Sequence, residues 1–394
     1  MTSAAGGPLS DVRVLDLTSV VMGPLATQIL GDLGADVITV EDIGGDTNRF
    51  MGQGRHPQLS GTALNLLRNK RNISLDLKHP DGREACLRLA EHSDILVTNL
   101  RPGPLGRLRL AYPDVATRKP DIVYCQAQGW PTDSAAGDRP AYDDVVQSAA
   151  GVAHLYEQQG GEPRIVPSII ADKVSGITIV YAVLAALHHR DRTGEGQRVE
   201  VPMVPTMQAF MLVEHGADAI PEPPLGSTGY RRVLSADRGP QRTADGWIHM
   251  LPYSRDNYVD LFRLGGRDDL AADPVLENRA SRSANVEVLY AAVAEIVRTR
   301  STASWLEFCD EHDIPCSPIV NLDELVAGYP VAEHSHAGSY HVIPSPVVFD
   351  STPAGVRRQA ALIGEHGDEV LAELGYTPDE VAALRASGAL RSRS

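Results

Sequence analysis

At 394 residues the chain is too long for one ordinary hydrophobic core, which predicts two domains or one large domain with an inserted smaller one. Apolar residues at 43% and charged residues at 22% are those of a folded globular chain and exclude disorder. A net charge of −15 excludes non-specific contact with nucleic acid or an anionic membrane, because both need a broad basic surface.

In chain order, the start MTSAAGGPLS has neither a basic n-region nor an apolar h-region, and no apolar run approaches the roughly 20 residues that span a bilayer. A cytoplasmic protein is therefore expected. VRVLDL (12–17) reads as a buried strand. A helix follows Gly23: Pro24 suits its first turn, Leu25, Ile29, Leu30 and Leu33 form its apolar stripe, and Gly34 suits its stop. DVITVE (36–41) is a second strand. Further strands are predicted at ISLDL (73–77), DILVTN (94–99) and DIVYCQAQG (121–129), with a helix over 81–92. This alternation predicts parallel βαβ units in a doubly wound, Rossmann-like α/β sheet. Ligands of such sheets sit beyond the carboxyl ends of the strands, so binding residues are expected after Leu17, Glu41, Leu77, Asn99 and Gly129.

Residues 169–189 read as a long, mostly apolar helix ended by RDRTGEGQ, followed by a strand (198–203) and a helix toward Glu214. The linker IPEPPLGSTG (220–229) marks a boundary. Beyond it, a hairpin-like stretch (242–251) and helical patterns near 255–264, 284–299 and 302–312 suggest a small α+β domain. A Pro-rich extended stretch (341–349) and two short amphipathic helices within 364–390 close the chain. The expected division is a large domain over 1–220, a small domain over 221–335 and a C-terminal segment, 336–394, packed back on the large domain. Cys86, Cys125, Cys309 and Cys316 are too scattered for a disulfide framework or a CxxC metal site and read as free thiols.

Several segments, in order and spacing, resemble the class III (CaiB/BaiF) CoA-transferase family: VRVLDLTSVVMGPLATQILGDLGADVITVE, NKRNISLDLKHPDGRE, TNLRPGPLGRL, AYDDVVQSAAG, ADKVSG, HRDRTGEGQRVEVPM and, near the end, LIGEHGDEVLAELGYTPDEVAAL. The match is weakest across 217–340. It implies a Rossmann-like large domain, a small domain and two chains interlocked as a homodimer. It implies an enzyme that moves CoA from an acyl-CoA to a free carboxylic acid, with coenzyme A as substrate, no tightly bound cofactor and no metal.

The resemblance carries the family's catalytic aspartate onto Asp172 and implies an aspartyl anhydride and an aspartyl-CoA thioester as intermediates. Read on pattern alone, Asp172 is an ordinary acid in a helix first turn, where the macrodipole favours an anion. Gly176, Ile179, Val180 and Val183 share its face; the glycine is expected to leave room beside the carboxylate and the branched residues to exclude water. The same match implies CoA contacts at Val20, Val21, Leu75, Asp76, Leu77, Lys78, Asn99, Leu100, Arg101, Arg107, Tyr142 and Asp143, with Lys78, Arg101 and Arg107 pairing with phosphates.

Three departures bear on the reaction. Where some members carry an arginine after the second strand this chain has Asp42, and Arg49 or Arg55 is the expected substitute. The related α-methylacyl-CoA racemases carry a GHDINY-like stretch whose histidine partners the aspartate. Here AYDDVV puts Tyr142 in its place, a poor base for two-base proton exchange near neutral pH, and His154 and His188 read as structural. The glycine run of the formyl-CoA members corresponds here only to GSTGYRR (226–232), so a larger or different acyl group is expected. A racemase and a non-catalytic acyl-CoA-binding protein are the alternative readings. A dehydrogenase is disfavoured, since Gly44 and Gly45 lack the spacing of a dinucleotide fingerprint.

Overall fold

In the computed structural model, which describes residues 6–392, six strands pair in parallel: β1 (Arg13–Leu17), β2 (Asp36–Glu41), β3 (Lys70–Ser74), β4 (Ile95–Thr98), β5 (Val123–Gln128) and β6 (Gln197–Pro202). The first five residues of the stretch read for a leader, and the last two of the C-terminal segment, lie outside the described residues. The strand order is β3-β2-β1-β4-β5-β6, so the winding reverses between β1 and β4 and a crevice opens at the carboxyl ends there. The crossovers carry α1 (Met22–Asp32), α2 (Pro80–Glu91), α3 (Pro102–Leu108), α4 (Asp143–Ala149) and α5 (Ile170–Thr193), and α6 (Met203–His215) follows β6.

This is the α/β sheet that the alternation predicted, with one strand displaced. β3 occupies Lys70–Ser74 and not 73–77, pairing Val37 with Lys70 and Glu41 with Ser74. The polar run KRN hides a strand because its charges are neutralised inside the fold. Lys70 meets Asp16 at 3.1 Å, Arg71 meets Asp36 at 2.7 Å, and Asn72 donates to Glu41 at 2.6 Å. Leu75, past the strand end, forms an isolated bridge with Leu390.

The described residues divide into two units: one from the start to Val152, Ile165–Phe210 and Tyr329 onward, the other Ala153–Arg164 with Met211–Gly328. The second unit thus starts ahead of the Pro/Gly linker and takes in a short excursion from the first. It contains the antiparallel strands β7 (Gln241–Arg242), β8 (Trp247–Met250) and β9 (Cys316–Pro318). Their sheet, with α7 (Arg255–Leu264), α8 (Val286–Val297) and α9 (Thr302–Glu311), encloses Ile248, Phe262, Leu289, Val293 and Trp305. In the first unit the closing segment forms the hairpin of β10 (Val331–His334) and β11 (Gly338–His341), then α10 (Gly367–Glu373) and α11 (Pro378–Ala386). Val370, Leu371, Val381 and Leu384 of these helices enter the same core as Leu15, Ile38 and Ile73.

By length and composition alone α5 is apolar enough to cross a bilayer. Its Ala171, Ile179, Val183 and Leu187 are instead buried, and the helix packs on α1, β5 and β6. All four cysteines are free thiols.

Beneath the crevice lies a buried charge network. The Asp16 carboxylate, fully buried, receives hydrogen bonds from Thr18 Oγ1 (2.5 Å), Thr27 Oγ1 (2.7 Å), Thr39 Oγ1 (3.0 Å) and Lys70 Nζ (3.1 Å). Burial pushes its pKa up, but the Lys70 ammonium and the hydroxyl donors outweigh it and hold Asp16 below its ordinary value. Lys70 also donates to Pro24 O at 2.9 Å, tying β3 to the first turn of α1. Removing one partner of a buried pair strands the other charge, so Lys70→Met is expected to lower unfolding free energy by about 3–5 kcal/mol. The double change Asp16→Asn with Lys70→Met should lose clearly less. Guanidinium titrations of both variants give the comparison, and equal losses would mean that the pair is not what the single change breaks.

Candidate active site

Two helix N-termini meet at the crevice. α1 starts directly after β1, and the turn between them is tight: a Cβ on Gly23 would lie 2.3 Å from Thr18 Cβ. Within that turn Val20 has φ 68°, a left-handed conformation that costs a β-branched residue on the order of 1–3 kcal/mol. Surrounding hydrogen bonds hold it there. Asp46 accepts from the Val20 N–H at 3.2 Å and Asn48 Nδ2 donates to Val20 O at 3.3 Å. Asn99, just past β4, accepts from the Ser19 N–H at 2.9 Å and donates to Ser19 O at 2.8 Å.

α5 begins without a side-chain cap from its own N-cap residue, Ile169. The cap comes from α4: Asp143 Oδ1 accepts the Asp172 N–H at 3.0 Å, one of the N–H groups a helix start leaves without an intrahelical partner. Asp143 is itself fixed by Gln147 Nε2 at 2.5 Å, and Gln147 Oε1 accepts from the Val166 N–H at 2.9 Å. The Asp172 side chain is only 9% exposed, and among the described residues no group donates to its carboxylate oxygens. Burial, and then the neighbouring Asp143 charge, push its pKa up to about 6.

Gly176 does not make room for the carboxylate, as the sequence suggested. A Cβ there would lie 2.8 Å from Met22 O and 3.3 Å from the Leu25 side chain, so the glycine lets α5 press against α1. Val180 is half-buried, and Ile179 and Val183 are fully buried.

Asp172 opens into a cleft of about 1000 Å³ with Ser19, Val20, Met22, Asn99, Leu100, Arg101, Gln128, Arg139, Tyr142 and Met203 in its lining. A second cleft, of about 900 Å³, shares Ser19 and Leu100 with it and is lined by Leu75, Asp76, Leu77 and Lys78 together with Glu41, Asp42 and Asp46. Nine of the residues expected to contact CoA therefore line one cleft or the other. Val21 is buried at the start of α1, Arg107 is exposed on α3, and Asp143 lies buried as the α5 cap; these three line neither. Arg49 is not a free cation: it is 1% exposed, meets Glu41 at 2.5 and 2.8 Å and donates to Ala361 O. Arg55 is exposed and lines neither cleft. His154, 3.0 Å from Glu157, and His188 are both exposed, so neither is a buried structural histidine.

Gln128, Arg139 and Met203 were missed from the sequence. The strand-end rule pointed at the segment after β5, but nothing in it singled out these side chains. Gln128 Oε1 is buried without a hydrogen-bond partner, while its Nε2 donates to Thr132 Oγ1 at 2.8 Å. It is an acceptor waiting for a donor in the cleft that holds Asp172.

The raised pKa sets a stability signature. The folded chain holds the Asp172 proton more tightly than the unfolded chain, so a destabilising contribution grows as pH rises from about 4 through about 6 and is complete above that. Asp172→Asn removes it. The variant should be more stable than the parent by on the order of 2 kcal/mol at about pH 7.5, with the gap narrowing toward about pH 5. Paired denaturant titrations at the two pH values check this, and a gap independent of pH would mean that the carboxyl is not desolvated.

The chain is similar to known proteins along nearly its whole length. The family model for CoA-transferase family III matches residues 9–367. A probable fatty acyl-CoA transferase of Mycobacterium tuberculosis is 32% identical, over 94% of this chain and 99% of its own length. The succinyl-CoA:mesaconate CoA-transferase of Haloarcula hispanica is 30% identical (94% and 97%), and the formyl-CoA:oxalate CoA-transferase of Streptomyces coelicolor is 32% identical (97% and 99%). A crystal structure of the M. tuberculosis protein superposes with TM-score 0.78 at 29% identity, covering 92% of this chain and 99% of that one. A CaiB/BaiF family protein from Brucella suis shares the fold with TM-score 0.79 at 24% identity, over 94% and 100%. By sequence along nearly its whole length the chain belongs to CoA-transferase family III, and it is an enzyme of that class.

Proposed function

We propose that this CoA-transferase passes CoA from an acyl-CoA to a free carboxylic acid by covalent catalysis at Asp172. The observation that carries the proposal is a carboxylate that is nearly dry, unpaired and open to a cleft at the switch point of the sheet. With a pKa of about 6 it is ionised at neutral pH, yet more basic and hence more nucleophilic than an ordinary aspartate.

The steps balance without an outside proton or electron. An Asp172 oxygen attacks the thioester carbonyl, the C–S bond breaks, and a mixed anhydride and CoA thiolate form. The thiolate attacks the aspartyl carbonyl, the anhydride C–O bond breaks, and the donor acid leaves as its carboxylate. The acceptor carboxylate then attacks the aspartyl-CoA thioester and releases the thiolate, which takes the new acyl group and restores Asp172. Each addition builds negative charge on a carbonyl oxygen. The first-turn N–H groups of α1 are the donors best placed for it, since Val21 supplies no side-chain cap and Met22 lines the Asp172 cleft.

The thioester end of CoA is assigned to the Asp172 cleft and the remainder to the adjoining one, with Arg101 and Lys78 as phosphate partners. Val20, Asn99, Leu100 and Tyr142 contact the bound molecule on the first side and Leu75, Asp76 and Leu77 on the second. A racemase is disfavoured because no histidine is among the residues lining the Asp172 cleft. A homodimer is favoured by α5, where Ile177 and Tyr181 are 57% and 64% exposed in a single chain. The short GSTGYRR segment favours an acyl group larger than formyl.

Asp172→Ala is expected to lower turnover by about a thousandfold or more while CoA binding persists. Incubation of the parent with acyl-CoA and hydroxylamine should convert Asp172 to its hydroxamate, read by peptide mass spectrometry. In the parent, kcat/KM should rise with pH through about 6 as the nucleophile ionises. An active alanine variant, or hydroxamate formed at another residue, would exclude Asp172 as the nucleophile.

A further inference from the structure

The second unit carries a concentration of positive charge that the transfer chemistry leaves unused. A cleft of about 290 Å³ is lined by Arg232, Tyr253, Tyr258, Arg279, Arg282 and Ser283, none of which lines the Asp172 cleft or its neighbour. Arg232 lays its guanidinium 4.6 Å from the Tyr253 ring centre and donates from Nε to the Tyr290 hydroxyl at 2.9 Å. Arg279 approaches the same ring at 6.0 Å, and Arg282 donates to Leu276 O at 2.6 Å. Nearby, the charge of Arg238 bears on the Tyr258 phenol, and its Nη1 is buried with no hydrogen-bond partner.

Three other arginines of this unit have carboxylates to hand, while among the described residues Arg242, Arg263, Arg298 and Arg300 also lack an ion pair but do not line this cleft. Arg255 meets Glu277 at 3.3 Å, Arg267 meets Asp269 at 2.8 Å and Arg231 faces Glu287 at 3.9 Å. Among the described residues Arg232, Arg238, Arg279 and Arg282 have no acidic partner within ion-pair distance. Four guanidiniums left unneutralised on and beside one cleft repel one another, and the tyrosines return only part of that energy. In a chain of net charge −15 such a cluster is not the by-product of a generally basic surface. A bound anion is the missing counter-charge. Guanidinium forks fit groups that present two oxygens, and the Tyr253 and Ser283 hydroxyls can donate to a third.

We infer that this cleft binds a compact oxoanion, a phosphate or a small dicarboxylate, at a site separate from the one that takes CoA. The cleft is too small for a nucleotide, so only a compact group can enter between the arginines. Arg279 and Arg282 grip the ion directly, while Arg232, already committed to Tyr253 and Tyr290, supplies field and a wall.

The test is isothermal titration of the full chain with inorganic phosphate and, separately, malonate, at ionic strength held constant with sodium chloride. Both are repeated on Arg279→Gln with Arg282→Gln, and on Lys78→Gln with Arg101→Gln. Saturable binding that survives the second pair of changes but weakens by about tenfold or more in the first pair is expected, the loss of a charge-assisted hydrogen bond being the cause. The stronger of the two anions identifies the ligand's chemistry. Because Arg279 is exposed, Arg279→Gln alone keeps the fold and shows the same direction of loss. Absence of saturable heat from both anions, or equal affinity in the parent and the Arg279/Arg282 variant, overturns the inference. So does conversion of that variant from dimer to monomer without anion binding in the parent, which would mean that carboxylates of a second copy cover the cluster. Binding lost only with Lys78 and Arg101 overturns it too, and would leave the reading of the Asp172 site standing.

Discussion

The contact between Gly176 and the Met22 carbonyl is the constraint on which the candidate site depends. A methyl group at position 176 would have to sit 2.8 Å from that oxygen, so only glycine lets α5 approach α1 this closely. One turn earlier on α5 stands Asp172, and at the start of α1 stand Met22 and the turn that carries Val20. Two helix starts, each with N–H groups lacking intrahelical partners, are thereby set at one cleft. Asp143 satisfies one of these N–H groups and at the same time adds a negative charge beside Asp172. Close packing, capping and the raised pKa are in this sense one arrangement.

Such an arrangement is costly, and the rest of the first unit supplies the stiffness that maintains it. A desolvated carboxylate, a β-branched residue at positive φ and a buried glutamine oxygen without a donor all lie within one cleft. None would persist on a loose support. The Asp16 network sits directly below, with Lys70 reaching from β3 to both the Asp16 carboxylate and the first turn of α1. Asn99 bridges the switch point by holding both backbone polar groups of Ser19. The strained turn is therefore fixed from beneath by charge and from the side by an amide.

The sheet was legible in the sequence wherever its strands are aliphatic. β1, β2, β4 and β5 fall within a residue or two of their predicted spans, because VRVLDL and its counterparts can be buried on both faces only in a parallel sheet. β3 was not legible, since Lys70, Arg71 and Asn72 look like a solvated loop until their partners Asp16, Asp36, Glu373 and Glu41 are known. Arg49 was misjudged for the same reason: its partner Glu41 is invisible from a window around either residue. Asp172 was singled out through family resemblance and not through pattern, which saw only an acid in a helix first turn. Its raised pKa comes first from burial and then from Asp143 of another helix, 29 residues away in sequence, and neither could be read from local spacing.

The charges around the two joined clefts are divided in a way that bears on how an acidic chain can hold a polyanion. On the Asp172 side the rim carries the exposed cations Arg101 and Arg139. The other side is lined by Glu41, Asp42, Asp46 and Asp76 with Lys78 as its cation. With Arg49 committed to Glu41, the potential is positive near Arg101, Arg139 and Lys78 and negative at Asp42. The field within the clefts is therefore set by the few groups that face them more than by the global charge of the chain.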